Sequence, residues 1–228
     1  MIKAIFFDLD DTLLDFRRAE HTAILDTLRQ LKLPASEATA VRYSEINAAQ
    51  WRLYEKGEVT REALLTRRYA ILFAELGVSR DPEAAQRFYE KQLAASADLL
   101  PGAKEVLAAL APQYTLCAVT NGTASIQRSR LEKSGIAAYF EKVFISQELG
   151  VQKPNGAFFD RCFDAFPALR REETMIVGDS MTSDMRGGRM AGLVTCYVNP
   201  QKKPLPKDGC VDYEIDGVMA LPALLKSL

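Results

Sequence analysis

Residues Ile2 to Leu14 read Ile-Lys-Ala-Ile-Phe-Phe-Asp-Leu-Asp-Asp-Thr-Leu-Leu. Ile5, Phe6 and Phe7 form the continuous apolar run expected of a strand buried on both faces, and it ends abruptly in Asp8, Asp10 and Asp11. Carboxylates set this close repel one another and are costly to desolvate, so the tip needs either open water or a cation. A divalent ion such as Mg2+ would let Asp8 and Asp10 stay close at neutral pH, one ionised and one free to carry a proton. On their own, the same residues describe a polar strand-to-helix turn equally well, since Asp and Thr are common there.

From about Asp15 to Asp98 the composition turns helical, rich in Ala, Leu, Glu, Arg and Gln and free of β-branched runs, so this block reads as an insertion. Thr60 is expected to cap one helix, and Asp81-Pro82-Glu83 supplies the N-cap, N1 proline and first-turn acid of another. Gly57 and Gly77 mark turns. After Pro101-Gly102 helix and strand alternate. Apolar runs at Leu116–Val119, Lys142–Ile145, Met175–Val177 and Val194–Val198 predict four more strands, three of them with polar tips at Thr120-Asn121-Gly122, Gly178-Asp179-Ser180 and Asn199-Pro200. A helix is expected from Ala124 to Ser134, ending at Gly135, and Lys153-Pro154 is expected to open another with an apolar face of Phe158, Phe159, Cys162, Phe163 and Phe166. Ser180 or Ser183 suits a helix cap, and Gly187, Gly188 and Gly192 suit close packing and termination. Gln201 to Lys207 reads as a surface loop. Strands separated by helices imply an α/β fold, a Rossmann-like parallel sheet with helices on both faces, in which ligands bind beyond the carboxyl ends of the strands. Asp8, Asp10, Thr120, Lys153, Asp179 and Asp184 all fall at or just after such ends.

Composition narrows the chemistry. A chain of 228 residues suits one domain with an insertion, or two small ones, and buries ~70–75% of its unfolded surface. Its net charge of -1, with acids and bases well mixed, gives no basic face for a nucleic-acid polymer. No apolar run reaches the ~18 residues of a membrane span, and the first residues read as a strand rather than a signal segment, so a cytoplasmic protein is expected. Cys117, Cys162, Cys196 and Cys210 show no metal or redox spacing and read as reduced core thiols. His21 is the single histidine and reads as a helix-face residue, which leaves carboxylates to carry any chemistry.

Asp-Leu-Asp-Asp-Thr at 8–12, Val-Thr-Asn-Gly at 119–122, Lys-Pro at 153–154 and Gly-Asp-Ser-Met-Thr-Ser-Asp at 178–184 resemble, in order, the four motifs of the haloacid dehalogenase (HAD) superfamily. The resemblance spans the chain and implies a catalytic core of residues 1–14 and 99–228, with an all-helical C1-type cap of residues 15–98. It implies a Mg2+-dependent phosphomonoesterase in which Asp8 attacks phosphorus and forms an aspartyl phosphate. Asp10 would protonate the leaving oxygen, then activate water, and lend its carbonyl to the metal. The dehalogenating members lack an Asp at that second position. Thr120 and the Asn121 amide would hold the phosphate, Lys153 would neutralise charge on Asp8 and the phosphoryl group, Asp179 would ligate metal directly, and Asp184 would be an outer acid. Asp11 stands where relatives often carry Gly or Glu and is given no catalytic role. Trp51-x-x-Tyr-x-x-Gly-x-x-Thr at 51–60 and Thr-Cys-Tyr-Val-Asn at 195–199 further resemble the YjjG-type 5′-nucleotidases, which act on pyrimidine nucleoside monophosphates. Trp51 and Tyr54 would then read the substrate, an aromatic ring stacking on a base, or else simply pack cap helices.

The expected partner is therefore a small phosphate monoester, bound by a monomer or homodimer, with no polymer and no membrane involved. Phosphoglycolate or a sugar phosphate as substrate, and a phosphomutase, remain alternatives within the same chemistry. A non-enzymatic phospho-Asp module, like a response-regulator receiver, fits less well. In receivers the acid pair precedes the acceptor Asp, and their chains are about half as long with no cap.

Overall fold

The computed structural model describes all residues, Met1–Leu228. It divides into two compact units, residues 1–15 with 97–228 and residues 16–96.

The first unit is an α/β sandwich. In chain order it contains β1 (Ala4–Phe7), and, after the helices α1 to α4 of the second unit (Phe16–Gln30, Glu37–Glu55, Arg61–Glu75 and Pro82–Ala95), α5 (Ala103–Leu110), β2 (Thr115–Thr120), α6 (Ala124–Lys133), β3 (Lys142–Ile145), α7 (Ser146–Leu149), α8 (Gly156–Asp164), β4 (Thr174–Gly178), α9 (Gly187–Met190), β5 (Val194–Val198), β6 (Tyr213–Ile215) and α10 (Leu221–Lys226). The strands pair in the order β3-β2-β1-β4-β5-β6, every pair parallel. Side chains alternate across the sheet with the strand period. Ile5, Phe7, Ala118 and Val177 point to the face covered by α5 and α10, and Phe6, Cys117, Val119 and Ile176 to the face covered by α8. Because both faces are buried, the strands carry the unbroken apolar runs that made them legible.

The chain leaves β1 to build β2 and β3 on one side, then returns to build β4, β5 and β6 on the other. The carboxyl end of β1 is therefore the switch point of the sheet, where crossovers depart in opposite directions and leave a crevice. Asp8 is the first residue beyond it, and its N–H still donates to Val177 O at 2.9 Å. The next turn is fixed by Leu9, whose carbonyl accepts from the N–H groups of Leu13 at 2.9 Å and Leu14 at 2.8 Å. Asp11 takes φ 58°, a left-handed conformation that Gly adopts freely and Asp tolerates better than most residues. A short stem closes this unit where the chain departs and returns. Leu14 bridges Leu99 in antiparallel fashion, and Asp15 N–H donates to Asp98 O at 3.0 Å.

The second unit is four helices. Ser36, Thr60 and Asp81 cap α2, α3 and α4 through their side-chain oxygens, with Pro82 at the start of α4, and Gly57 and Gly77 end α2 and α3 with φ 75° and 66°. Its core is only partly apolar. Arg68, 3% exposed, lies 4.9–5.8 Å from the ring centres of Tyr43, Tyr69 and Tyr89 and donates to Asn47 and Gln86 at 2.6 Å each. Cation–π contact and two charge-assisted hydrogen bonds offset the cost of burying that guanidinium. His21 sits on the outer face of α1, 2.7 Å from Glu37.

Several elements go beyond or depart from the sequence reading, among them the short helices α7 and α10, which it lacked. β6 is an additional edge strand. Pro154 does not open α8, because the helix starts at Gly156 with Asn155 as N-cap, whose Oδ1 accepts from Ala157 N–H at 3.0 Å. The segment after β4 is a π-helical turn, Met181–Arg186, capped by Ser180, rather than an ordinary helix. All four cysteines are free and buried, and no helix is long and apolar enough to cross a membrane.

Gly188 lies against the sheet, where an added Cβ would sit 2.5 Å from Ile176 Cγ2 and 3.3 Å from Thr195 Cγ2. Gly188→Ala is expected to destabilise the fold by about 1–3 kcal/mol through overpacking, read as a lower midpoint in equilibrium urea unfolding.

Candidate functional site

The ends of β1, β2 and β4 deliver most of the polar residues: Asp8 and Asp10, Thr120 and Asn121, and Asp179. Lys153 arrives from the segment between α7 and α8 and is 1% exposed. Its ammonium uses all three donors, to Asp8 Oδ1 at 2.8 Å, Asp184 Oδ1 at 2.6 Å and Val119 O at 2.8 Å. Burial alone would pull that ammonium down, but Asp184 and Asp8 outweigh it and hold it above its ordinary value. The Lys153 backbone is fixed in turn by Asn121, whose Nδ2 donates to Lys153 O and whose Oδ1 accepts from Lys153 N–H, both at 2.9 Å. The sequence reading gave Asn121 a backbone role only; the structure adds this side-chain clamp.

Asp184 is fully buried. The π turn aims its carboxylate back toward the end of β4, where Oδ2 accepts from Ser180 N–H at 3.1 Å. A Cβ at Gly178 would overlap that carboxylate, so this position has to be Gly. Asp179 lies beside it, and carboxylate oxygens of Asp8, Asp179 and Asp184 fall within 4.8 Å of one another. Burial pushes the Asp8 carboxyl from an ordinary 3.8 up to about 8, against the pull of Lys153 and with further push from Asp184 and Asp10. Burial, then Asp8 and Asp184, also hold Asp179 well above the usual carboxylate range. Two of these acids, Asp8 and Asp184, share a single buried ammonium, and Asp179 beside them makes no ion pair with it. Hard oxygen donors gathered with a surplus of negative charge fit a hard divalent cation, which would relieve the repulsion that now raises these groups.

Asp10 turns away from this cluster. Its Oδ1 accepts from Arg130 Nη1 in a short ion pair, and its Oδ2 from Gln127 Nε2 at 3.0 Å. The same Gln127 amide donates to Thr120 Oγ1 at 2.9 Å. Thr120 does not cap α6, since Thr123 holds that position; its hydroxyl instead accepts from Gly122 N–H at 3.1 Å. Gln127 and Arg130 escaped the sequence reading. The signal available was their i, i+3 spacing on a helix otherwise short of apolar residues, which reads by default as a solvated face.

Trp51 and Tyr54 belong to the second unit. They are half-buried on the last turns of α2, ring centres 5.8 Å apart in an edge-to-face pair, with the Arg61 guanidinium 5.6 Å from the Trp51 ring.

The chain is similar to known proteins along most of its length. The description of the haloacid dehalogenase-like hydrolases matches residues 2–192. The HAD-hydrolase YfnB of Bacillus subtilis is 35% identical over 93% of this chain and 91% of its own length. Its crystal structure, bound to magnesium, superposes with a TM-score of 0.94 over 98% of each chain. The pyrimidine 5′-nucleotidase PynA of Streptococcus pneumoniae is 36% identical over 87% of this chain and 84% of its own. The pyrimidine 5′-nucleotidase YjjG of Escherichia coli is 29% identical over 97% and 96%. A charged crevice at the switch point of a parallel sheet, four ordered motifs and these relatives lead to one statement: the chain belongs to the haloacid dehalogenase-like hydrolase family.

Proposed function

We propose that the protein is a Mg2+-dependent phosphomonoesterase that works through an aspartyl phosphate on Asp8, with pyrimidine nucleoside 5′-monophosphates as its substrates. The observation that carries this reading is the buried triangle of Lys153 with Asp8 and Asp184, completed by Asp179, with a second acid, Asp10, two residues beyond the nucleophile. A carboxylate needs no activating base. Lys153 engages Asp8 Oδ1, which leaves Oδ2 to attack phosphorus in line. As the Oδ2–P bond forms, the bond to the leaving oxygen breaks, and Asp10 gives that oxygen its proton. Water then attacks the phosphorus of the acyl phosphate and passes a proton to Asp10, and the P–Oδ2 bond breaks to release inorganic phosphate and restore Asp8. Thr120 Oγ1 and the Asn121 N–H serve the equatorial oxygens. Mg2+, held by Asp8, the Asp10 carbonyl and Asp179, with Asp184 behind them, would supply positive charge against the phosphoryl oxygens.

The helical block, residues 15–98, acts in this reading as the C1-type cap, and Trp51 with Tyr54 contacts the base. An Asp at position 10 sets the protein apart from dehalogenating relatives, to which its resemblance is otherwise general. Phosphate release from a panel of nucleotides, modified nucleotides, phosphoglycolate and sugar phosphates, with and without a sugar bisphosphate, tests the substrate and separates a mutase. No release from any monoester would overturn the reading.

Three outcomes are expected. Asp8→Asn lowers turnover by about 10⁴-fold or more, as loss of a covalent nucleophile does, while the thermal transition is retained; normal hydrolysis by this variant would refute the nucleophile. Lys153→Met, by stranding Asp8 and Asp184, costs about 3–5 kcal/mol in urea unfolding of the metal-free protein. Metal and pH are linked through Asp8. Its folded pKa of about 8 lies above the ordinary 3.8, so the stability it contributes is complete below pH 4 and lost as pH rises to about 8. A fixed Mg2+ concentration that is a hundredfold its Kd at pH 8 should add about 2.7 kcal/mol there and less at lower pH, where Asp8 must lose its proton for the ion to bind, seen as a rise in Tm that grows across that window and disappears in Asp179→Asn.

A further inference from the structure

Arg130 is completely buried, and Gln127 is 1% exposed. Both project from the inner face of α6 onto a single carboxylate, that of Asp10. Desolvating a guanidinium costs several kcal/mol, and a buried ion pair is often no more stable than apolar residues of the same volume. Leu131, buried on the same helix, already packs into the apolar core on one face of the sheet. Stability therefore gives no reason for a cation at this position, and the choice of partner does.

The two oxygens of Asp10 are held unequally. Oδ1 is bound by a full charge. Oδ2 is bound only by a neutral group, one N–H of the Gln127 amide, whose other N–H serves Thr120 Oγ1, and the Asp10 side chain keeps 28% of its surface exposed. Gln127 Oε1 in turn accepts from Arg130 Nη1 at 3.3 Å, so the two residues brace each other. We propose that Gln127 and Arg130 are positioning residues for the reaction: Arg130 anchors Oδ1 of Asp10, and Gln127 holds Oδ2 in register with the phosphate-holding hydroxyl of Thr120, so that Oδ2 is the oxygen that gives and takes the proton. This rests on the reading of Asp10 as the acid and base.

The test compares kcat/KM for uridine 5′-monophosphate, whose alkoxide-like leaving oxygen needs a proton, with kcat/KM for 2,4-dinitrophenyl phosphate, whose leaving oxygen does not. Gln127→Ala and Arg130→Met are expected to lower the first by about 10–100-fold, a share of what a well-placed acid contributes, with a loss at least tenfold smaller for the second. Arg130→Lys should recover part of the loss, and it serves in place of Arg130→Met if that variant does not fold. Added to Asp10→Ala, Arg130→Lys should cause no further loss with either ester, because Arg130 acts on the reaction through Asp10. Equal losses with both esters, or a further loss on top of Asp10→Ala, would mean that α6 only supports the fold and would overturn the proposal. If Asp10→Ala itself fails to discriminate between the esters, the assignment of Asp10 as acid falls, and the positioning role falls with it.

Discussion

The Lys153 ammonium, shared between Asp8 and Asp184, is the contact on which the site depends. It joins the end of β1 to the turn after β4 across the switch point, and Val119 O ties it to β2. Every neighbouring choice serves it. Asn121 holds the Lys153 backbone, Gly178 makes room for the Asp184 carboxylate, and the π turn aims that carboxylate inward. One cation among two buried acids and a third that is partly buried still leaves a deficit of positive charge, and that deficit is what a divalent cation would fill. The stability sacrificed there is recovered from a sheet whose central strands are covered on both faces.

Parallel topology explains why residues so far apart in sequence converge. All six strands point the same way, so each polar tip emerges on one edge, and the central β1 receives neighbours from both directions. The site consequently consists of two linked polar networks. One surrounds Lys153 and holds Asp8 and Asp184. The other runs from Arg130 through Asp10 and Gln127 to Thr120. Asp8, the proposed nucleophile, and Asp10, the proposed acid, are two residues apart in sequence yet held by different partners, which lets two carboxylates differ in environment at close range.

The sequence made the sheet largely legible because its central strands are buried on both faces and read as unbroken apolar runs. Lys142–Ile145 and Val194–Val198 appear with the bounds read from the residues. β6 escaped because Tyr213–Ile215 is three residues long and buries only Ile215. Thr60 and Asp81 were readable because capping is local chemistry; the π turn was not, because no local residue pattern separates it from an ordinary helix, and the partner of its Asp184, Lys153, lies far upstream. Asp8, Asp179, Asp184 and Lys153 were nameable from spacing and resemblance. Gln127 and Arg130 were not, since a polar residue on a helix declares its burial only once its partner is known. The same limit hid the Arg68 cluster in the helical unit, where three tyrosines and two amides make an interior for a charge.

The stem at Leu14–Asp15 and Asp98–Leu99 carries a consequence for the architecture as a whole. Because the outgoing and returning chains are already one backbone hydrogen bond apart, the α/β unit satisfies its own ends and spends little loop-closure entropy on whatever lies between them. A segment of eighty residues or of eight could be spliced in at this point with the same parent scaffold beneath it. The junction thus works as a socket, at which an inserted unit can be exchanged without disturbing the arrangement of the strand tips.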